Sequence, residues 1–335
     1  MSKSIVGVVG GSGYIGSAIA NHLSNTFKVK VIDKVPPSSR LQSKVGYEEC
    51  NILKPKEVDR ALSGLDLVIH TAIVQIPLIV ENKKLGYGVN FLGTQNLCRA
   101  IAQSSTIKGM ILSGTWHVFG ERELSGVIDE AFGFRPDKIE SRARLYALSK
   151  IAQEVIVRYY DEMSKKTFGV IRMATVLGVG MPEKTAANIF ISKGLAGEAI
   201  TPFKHSMYRP MLYVDIMDVC KAFRVYAMKI LSGQIPKGEN SLAHVVNLCW
   251  PKPMTIFDLA HLVRNTIIGI TNGSIKPEIE VVDRKQPVLY QAGDKQKVKV
   301  DIGKIQQLLD IKKLKDPRES IERIVMSEYK RAKQA

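Results

Sequence analysis

Tyr146 and Lys150, four residues apart, form the pair with the most distinctive chemistry in the sequence. On a helix, this spacing places both side chains on one face, one turn apart. A free tyrosine has a pKa of about 10 and is a poor base at neutral pH, but a neighbouring ammonium favours the phenolate and lowers that pKa. We therefore expect Tyr146 to remove the proton of a substrate hydroxyl. The alternative is a tyrosine at the edge of the core beside a solvated lysine.

Three glycines, Gly10, Gly13 and Gly16, stand between the first expected strand and the first expected helix. Glycine permits a tight turn, lets the backbone approach a pyrophosphate and lets the helix pack closely on the strand. The amino terminus of the helix then offers free N–H groups and a partial positive charge to the phosphates. A glycine cluster can also be a plain turn, but its position between a strand and a helix favours a dinucleotide-binding loop.

The end of the second expected strand carries an acidic residue, Asp33. A carboxylate at this point accepts hydrogen bonds from the ribose hydroxyls and repels a 2′-phosphate. NAD is therefore the expected cofactor. Lys34 and Arg40 follow closely and are able to accept a 2′-phosphate, so NADP stays open as an alternative.

Short apolar runs alternate with helical patterns along the first half of the chain. Strands are expected at 4–9, 28–32, 45–50, 67–69, 110–112 and 168–173, and helices at 14–24, 54–62, 85–102, 144–164, 302–309 and 317–327. Because a parallel crossover needs a connection long enough for a helix, this alternation predicts an α/β fold with a doubly wound parallel (Rossmann) sheet. Residues 1–180 are expected to form this cofactor domain, and residues 181–335 a smaller, mixed α/β substrate lobe. The chain is expected to re-enter the first domain near 210–250.

Composition narrows the class of protein. The chain has 335 residues, of which 45% are hydrophobic and 24% charged, as is ordinary for a globular protein. The net charge of +16 favours anionic partners, but the basic residues are spread along the chain and accompany no nucleic-acid-binding motif. The longest apolar stretch, 68–80, is interrupted by polar residues and proline, and is too short to span a bilayer. We therefore expect no nucleic acid and no membrane as partners.

Four cysteines, none of them in a CxxC pair, are expected to be reduced thiols in a cytoplasmic protein. No cluster of histidine, cysteine and acidic residues has the spacing of metal ligands. No metal is therefore expected.

The order of its motifs makes the chain resemble the NAD-dependent epimerase/dehydratase branch of the extended short-chain dehydrogenase/reductase family. Single motifs are weak, but several in the family's order are specific, and they cover nearly the whole chain. In chain order, they are Gly10–Gly16, Asn51-Ile52, Val68–Ala72, Asn90–Leu97, Leu112–Thr115, Tyr146–Lys150, Ile171-Arg172, Gly178–Gly180 and Arg209–Asp215. Two departures stand out: Asn51 replaces the usual Asp, and Lys295–Asp301 only partly resembles the family's late RxYxxD segment.

The resemblance implies a role for each matched residue. Thr115, Tyr146 and Lys150 would be catalytic, and Lys150 would also bind the nicotinamide ribose. The residues implied to bind the cofactor are Gly10, Gly13, Tyr14, Ile15, Gly16, Asp33, Lys34, Asn51, Ile52, Thr71, Ala72, Ile73, Gln75, Asn90, Ser113, Tyr146, Lys150, Met173 and Val176. Those implied to contact the substrate are Thr115, His117, Tyr146, Thr175, Asn188 and Arg209, the last two on the diphosphate of a nucleotide-sugar.

The choice of reaction rests on Trp116 and His117, which stand where the family's dehydratases carry an Asp-Glu pair that eliminates water. Dehydration is therefore not expected, and decarboxylation usually needs an acid in the same region. The leading hypothesis is a nucleotide-sugar epimerase acting at C4 by transient hydride transfer to bound NAD, with Tyr146 as the base.

Two other hypotheses stay open. One is a net NAD(P)-dependent dehydrogenase or reductase of a hydroxy or keto substrate, similar to the hydroxysteroid or dihydroflavonol relatives. The other is a non-catalytic dinucleotide-sensing protein. The helices at 85–102 and 144–164 are further expected to form a four-helix homodimer interface, as in relatives, although packing on the sheet explains their apolar residues equally well.

Overall fold

The computed structural model describes residues 3–236 and 238–334. Its strands are β1 (Ile5–Val9), β2 (Lys28–Asp33), β3 (Gly46–Glu49), β4 (Leu67–His70), β5 (Gly109–Thr115), β6 (Gly126–Ile128), β7 (Thr167–Met173), β8 (Thr175–Leu177), β9 (Pro210–Met211), β10 (Tyr213–Asp215), β11 (Val245–Leu248), β12 (Met254–Thr255) and β13 (Val298–Val300). Its α-helices are α1 (Tyr14–Leu23), α2 (Ser39–Gln42), α3 (Pro55–Leu62), α4 (Leu78–Glu81), α5 (Lys83–Tyr87), α6 (Thr94–Gln103), α7 (Arg144–Met163), α8 (Ala186–Leu195), α9 (Ile216–Leu231), α10 (Ile256–Ile270), α11 (Gly303–Leu309) and α12 (Pro317–Gln334).

The centre of the structure is a seven-stranded sheet in the order β11-β7-β5-β4-β1-β2-β3. Every pairing in this sheet is parallel. The chain builds outward from β1 in one direction and from β4 in the other, so the carboxyl ends of these two neighbouring strands border a crevice. The predicted doubly wound parallel fold is confirmed.

Helices cover both faces of this sheet. α1 contacts α9, which also packs on β5 and β7, whereas α3, α6 and α7 contact one another in sequence and α7 packs on β5 and β7. Every residue of β4 and β5 is buried. Such continuous burial is typical of parallel strands covered on both sides, and it explains why their sequences show no alternation of polar and apolar residues.

Smaller elements from the second half of the chain form a lobe of mixed structure. Three two-stranded sheets join β8 to β10, β9 to β12 and β6 to β13, and of these only the β9–β12 pairing is antiparallel. α10 packs against α8 and α12. The strand β11, which also comes from this half of the chain, instead pairs with β7 and completes the central sheet.

The helix expected over 85–102 is interrupted by a π-helical segment at Gly88–Gly93, between α5 and α6. Asn90 lies on this segment and is fully buried. Its side-chain amide accepts from the backbone N–H of Val74 at 2.8 Å and donates to the hydroxyl of Ser149 at 2.9 Å. Sequence periodicity cannot show such a segment, because the apolar spacing of the flanking turns stays helical.

Candidate active site

The glycine turn lies at the crevice between β1 and β4. Gly10 has a positive φ of 78°, and a Cβ added there would lie 2.5 Å from the backbone nitrogen of Ala72. A Cβ on Gly16 would lie 2.2 Å from the carbonyl oxygen of Gly10. Only glycine fits at these two positions, so the turn passes close to the loop after β4 without side chains in the way.

The helix α1 begins directly after this turn. Gly13 is its N-cap, and no side chain caps the first turn. The first N–H groups of the helix are therefore available to an anionic group, which the helix dipole also favours. Turn and helix terminus together fit the diphosphate of a dinucleotide.

A cavity of about 290 Å³ lies on the β2 side of the turn. The predicted cofactor residues that line it are Gly10, Gly13, Asp33, Lys34, Asn51, Ile52, Thr71, Ala72 and Ile73. The carboxylate of Asp33 already accepts hydrogen bonds from the backbone N–H groups of Ser12, at 3.1 Å, and Lys34, at 2.7 Å. Asp33 therefore holds the glycine turn against the end of β2 and also faces the space that an adenosine ribose would fill.

A second cavity of about 330 Å³, here called the catalytic cleft, lies on the other side of the turn and contains the predicted catalytic residues. Thr115 and Tyr146 both line this cleft. The ammonium of Lys150 is buried and donates to the carbonyl oxygen of Ser113 at 2.7 Å. β5 and the first two turns of α7 thus bring the hydroxyl, the phenol and the ammonium to one wall of the cleft.

The pKa values of this pair differ from the expectation. Burial raises the pKa of Tyr146 to about 12, and Thr115 lowers it only in part. Burial also lowers the pKa of Lys150 to about 7. In the protein without a ligand, burial of the phenol therefore opposes the lowering of its pKa that the ammonium was expected to give.

The catalytic cleft also includes most of the remaining predicted residues. These are Tyr14, Ile15, Gln75, His117, Met173, Thr175 and Val176. The ring of His117 stacks on Trp116 and meets Tyr146 edge-on, with centroids 5.9 Å apart for the second pair. Burial lowers the pKa of His117, so the imidazole is neutral at pH 7.

Two predicted residues do not line the cavities described here. Asn90 is enclosed by its hydrogen bonds to Val74 and Ser149. Asn188 donates its side-chain amide to the carbonyl oxygen of Met181 at 2.9 Å. In this conformation, their roles are to order the backbone near the site.

Arg209 borders a third cavity of about 680 Å³, here called the cationic cavity. Its guanidinium pairs with Glu140 at 2.8 Å and with Glu121 at 3.5 Å, and its Nε atom is buried without a hydrogen-bond partner in the described part of the chain. Burial tends to raise the pKa of Glu140, but Arg209 and Arg142 lower it to about 2, so the carboxylate stays ionised. The residue predicted to bind a diphosphate is thus held in an ion pair.

Several functional candidates were not identified in the sequence. Arg142 lines both the catalytic cleft and the cationic cavity, and Trp116 lines the cleft with an indole N–H that is buried and unpartnered among the described residues. Five further basic residues line the cationic cavity: Arg122, Arg144, Lys184, His205 and Arg284. Arg142 and Arg144 belong to a run of three arginines at 135–144, just before Tyr146, and this run is the sequence signal that could have indicated these two residues.

Among residues 3–236 and 238–334, no three histidine, cysteine or acidic side chains come together as a metal-binding group. Within the same residues, no helix is both long and apolar enough to cross a bilayer.

Comparisons with known proteins agree with this geometry. The model of the NAD dependent epimerase/dehydratase family matches residues 6–240. The UDP-glucose 4-epimerase of Mycoplasma genitalium is 26% identical over 192 residues, which are 54% of this chain and 55% of that protein. The UDP-glucuronic acid decarboxylase 1 of Danio rerio is 22% identical over 292 residues, which are 85% of this chain and 66% of that protein.

Solved structures share the whole fold. The UDP-N-acetylglucosamine 4-epimerase from Methanobrevibacter ruminantium M1, in complex with UDP-N-acetylmuramic acid, superposes with a TM-score of 0.77 at 21% identity, covering 99% of this chain and 100% of that chain. The chain spans between 35% and 66% of the length of the curated relatives it matches. The family match confirms the expected enzyme class and the expected cofactor, NAD: this chain belongs to the NAD dependent epimerase/dehydratase family.

Proposed function

We propose that this protein is an NAD-dependent nucleotide-sugar epimerase that acts at C4. The observation that carries the proposal is that two cavities share a lining residue. The catalytic cleft, with Thr115, Tyr146 and Lys150, is bordered by Arg142, which also borders the larger cationic cavity. A sugar beside Tyr146 can thus be linked to a diphosphate and nucleoside beside the cationic wall. The names of the relatives and structural neighbours, several of them 4-epimerases, support this substrate class.

The chemistry assigned to the catalytic residues is a proton transfer coupled to hydride transfer. NAD, when bound, accepts the carbinol hydride and returns it. Thr115 donates or accepts a hydrogen bond at the reacting oxygen, and Tyr146 takes the hydroxyl proton and later gives it back. Lys150 supplies the charge that the phenolate form requires. Burial keeps the phenol protonated without ligand, so proton removal depends on positive charge in the assembled complex.

In an epimerase, the cationic cavity also has to hold the substrate while its sugar rotates. Returning the hydride to the opposite face requires the sugar to turn over in the catalytic cleft while the rest of the substrate stays bound. Arg–phosphate hydrogen bonds are strong enough for such an anchor. We assign this role to the cationic wall, with Arg209 exchanging part of its contact with Glu140 for a phosphate oxygen.

The test is a chromatographic screen of UDP-, dTDP- and GDP-sugars with NAD at catalytic concentration. An epimerase converts the sugar to its C4 epimer without net formation of NADH. Stoichiometric NADH formation from a hydroxy substrate, with no epimer, would replace the proposal by the second candidate, a net dehydrogenase or reductase. The stacked aromatic pair of Trp116 and His117, which lines the cleft together with Tyr146, is the observation that favours that candidate.

We also propose that the protein is a cytoplasmic homodimer, with α7 and the α5–α6 region at the interface. Large apolar side chains on these helices are exposed; they are Tyr87, Leu92, Leu148, Val155, Tyr159 and Met163. Tyr159 is 69% exposed and Met163 60% exposed, one turn apart on α7. An apolar patch of this kind on two neighbouring helices is typical of a contact between protein subunits.

A further inference from the structure

His117 links the catalytic cleft to a group of buried ion pairs. It lies on the 3-10 turn Trp116–Phe119 that follows β5, and its backbone N–H donates to the hydroxyl of Thr115 at 3.3 Å. Its side chain lines the cleft, is 19% exposed and meets the ring of Tyr146 edge-on. Its Nδ1 atom is buried without a hydrogen-bond partner in the described part of the chain and lies 3.6 Å from Oε1 of Glu121. One imidazole thus contacts the proposed base and lies beside a buried carboxylate.

Glu121 is shared between several donors. Its side chain is fully buried, and its Oε2 accepts from the backbone N–H of Glu140 at 3.1 Å. Its Oε1 lies 3.3 Å from Nη2 of Arg142, 3.5 Å from Nη1 of Arg209 and 3.6 Å from Nδ1 of His117. A charge-assisted hydrogen bond between nitrogen and oxygen measures about 2.7–2.9 Å, so none of these three donors has closed on the oxygen. If one of the three contacts is lost, the carboxylate is freer for the other two.

The protonation of His117 depends on the charged and titratable groups around it. They are two carboxylates, two guanidiniums and a phenol: Glu121, Glu140, Arg142, Arg209 and Tyr146. Burial is the largest effect and lowers the pKa of His117, while the carboxylates raise this pKa and the guanidiniums lower it further. Without a ligand, the effects that lower the pKa prevail.

Arg209 is the member of this group that a substrate can draw away. It borders the cationic cavity, and in the proposed function it exchanges part of its contact with Glu140 for a phosphate oxygen. A diphosphate there neutralises the guanidinium and adds negative charge, which favours positive charge on neighbouring groups. Glu121 at the same time loses one of its competing donors. Both changes favour a protonated His117 whose Nδ1–H donates to Glu121.

The proposed reaction needs a cation at this place. Burial raises the pKa of Tyr146 to about 12 and lowers the pKa of Lys150 to about 7, so at neutral pH the ammonium carries only part of its charge. The ring centroids of His117 and Tyr146 are 5.9 Å apart. Opposite unit charges at about this distance near a protein surface stabilise each other by roughly 100-fold in an equilibrium constant. An imidazolium beside the phenol would therefore make the phenolate considerably more accessible.

On these grounds, we propose that His117 is a positioning residue through which diphosphate binding activates the base. Binding of the diphosphate at Arg209 releases Glu121 to His117, the imidazole takes up a proton from solvent, and the imidazolium stabilises the phenolate of Tyr146. The inference rests on the proposed function, because the diphosphate of the substrate is the anion that draws Arg209 away.

The first experiment is an NMR titration of the full-length protein with bound NAD, isotope-labelled in its six histidines, with and without UDP. His117→Asn and His205→Asn assign the signals, since His205 also lines the cationic cavity and can respond to phosphate directly. We expect UDP to raise the pKa of His117 by about 1 to 2, a 10- to 100-fold change in protonation.

Variants of the carboxylate test how the effect reaches the imidazole. Glu121→Gln is expected to abolish the UDP-dependent rise at His117, and Glu121→Asp, which keeps a carboxylate, is expected to retain part of it. The matched control is Glu123→Gln, because the side chain of Glu123 is 70% exposed and pairs with Lys138. This control should leave the rise unchanged. The wild-type titration decides the proposal even if Glu121→Gln does not fold.

The second experiment is the pH dependence of kcat, which reports the groups of the enzyme–substrate complex, for the sugar nucleotide that the screen identifies. His117→Asn and Glu121→Gln are each expected to move the acidic limb of the profile to higher pH by about 1 to 2, whereas Glu123→Gln should not move it. A residue that only packs in the cleft would lower kcat equally at every pH.

The outcomes separate the two proposals. Binding of UDP without a rise in the pKa of His117, or a rise that survives Glu121→Gln, overturns the inference and leaves the epimerase proposal standing. An acidic limb that His117→Asn leaves in place overturns the role of the imidazole in the proton transfer. If neither UDP nor inorganic pyrophosphate binds, or if the screen finds no turnover, the proposed function is overturned, and the inference with it.

Discussion

Because Lys150 is buried, we expect that replacing this residue, to which we assign a catalytic role, stabilises the protein without ligand below about pH 7. Burial lowers its pKa from 10.5 to about 7. Because each tenfold change in a protonation equilibrium corresponds to about 1.4 kcal/mol, this lowering corresponds to a cost of roughly 4 to 5 kcal/mol for keeping the charge folded at low pH. Lys150→Met removes that cost but leaves the carbonyl oxygen of Ser113 without its donor, which costs about 1 to 3 kcal/mol.

The sign of the pH dependence follows from the same values. Between about pH 7 and pH 10.5, the unfolded chain holds a proton that the folded chain does not, so the contribution of Lys150 makes wild-type stability rise with pH across this window. Lys150→Met lacks this rise. We expect the variant to be more stable than the wild type by roughly 2 kcal/mol at about pH 6, and less stable by about 1 kcal/mol at about pH 10.5.

Urea unfolding of the cofactor-free protein over this pH range measures the effect. The control is Lys312→Met, since Lys312 is 84% exposed and its substitution should leave the pH profile unchanged. A Lys150→Met variant that is less stable than the wild type at every pH, or that keeps the wild-type rise, would refute the argument that burial dominates this site.

Four further changes test other parts of the site. Tyr146→Phe is expected to lower kcat by about 100- to 10,000-fold with little change in NAD affinity, because it removes the proton acceptor; steady-state kinetics and calorimetry measure the two effects. Asp33→Ser should lower the ratio of NAD to NADP affinity by about tenfold or more, since it removes the carboxylate that repels a 2′-phosphate. Gly16→Ala should abolish NAD binding, measured by calorimetry, because its Cβ would lie 2.2 Å from the carbonyl oxygen of Gly10. Tyr159→Asp should convert the proposed dimer to a monomer in sedimentation, because it buries a charge at the helical interface.

Two of these changes have a matched control, and the other two have an outcome that would contradict them. Gly269→Ala adds a methyl group where no atom lies within 4 Å, so it should leave NAD binding intact. Met228→Asp changes an exposed residue on α9, outside the proposed interface, and should leave the dimer intact. Near-wild-type turnover in Tyr146→Phe would remove this residue as the base, and unchanged cofactor preference in Asp33→Ser would remove Asp33 as the discriminator.

The sequence predicted those parts of the site that are determined by residues close together in the chain. The turn from Gly10 to Gly16 and the Tyr146–Lys150 spacing are set within a few residues, and the structure brings them to one crevice. The ion pair between Arg209 and Glu140 joins residues 69 positions apart, so nothing in the sequence around either residue indicated it. The same holds for Asn90, whose partners Val74 and Ser149 come from a loop and from another helix.

The pKa of Tyr146 could not be predicted from the sequence, and the reason is a different one. The sequence gives the identity of the neighbouring cation, but the balance between charge and burial depends on how deeply both groups lie.

The pairing of β11 with β7 means that the chain cannot be cut into two halves that fold independently. A chain cut after residue 180 would lose an edge strand of the central sheet and also α9, which packs on α1 and on β5 and β7. The hydrophobic surface beneath both elements would then face water. Residues on both sides of position 180 consequently belong to one folding unit, and we expect neither part to fold without the other.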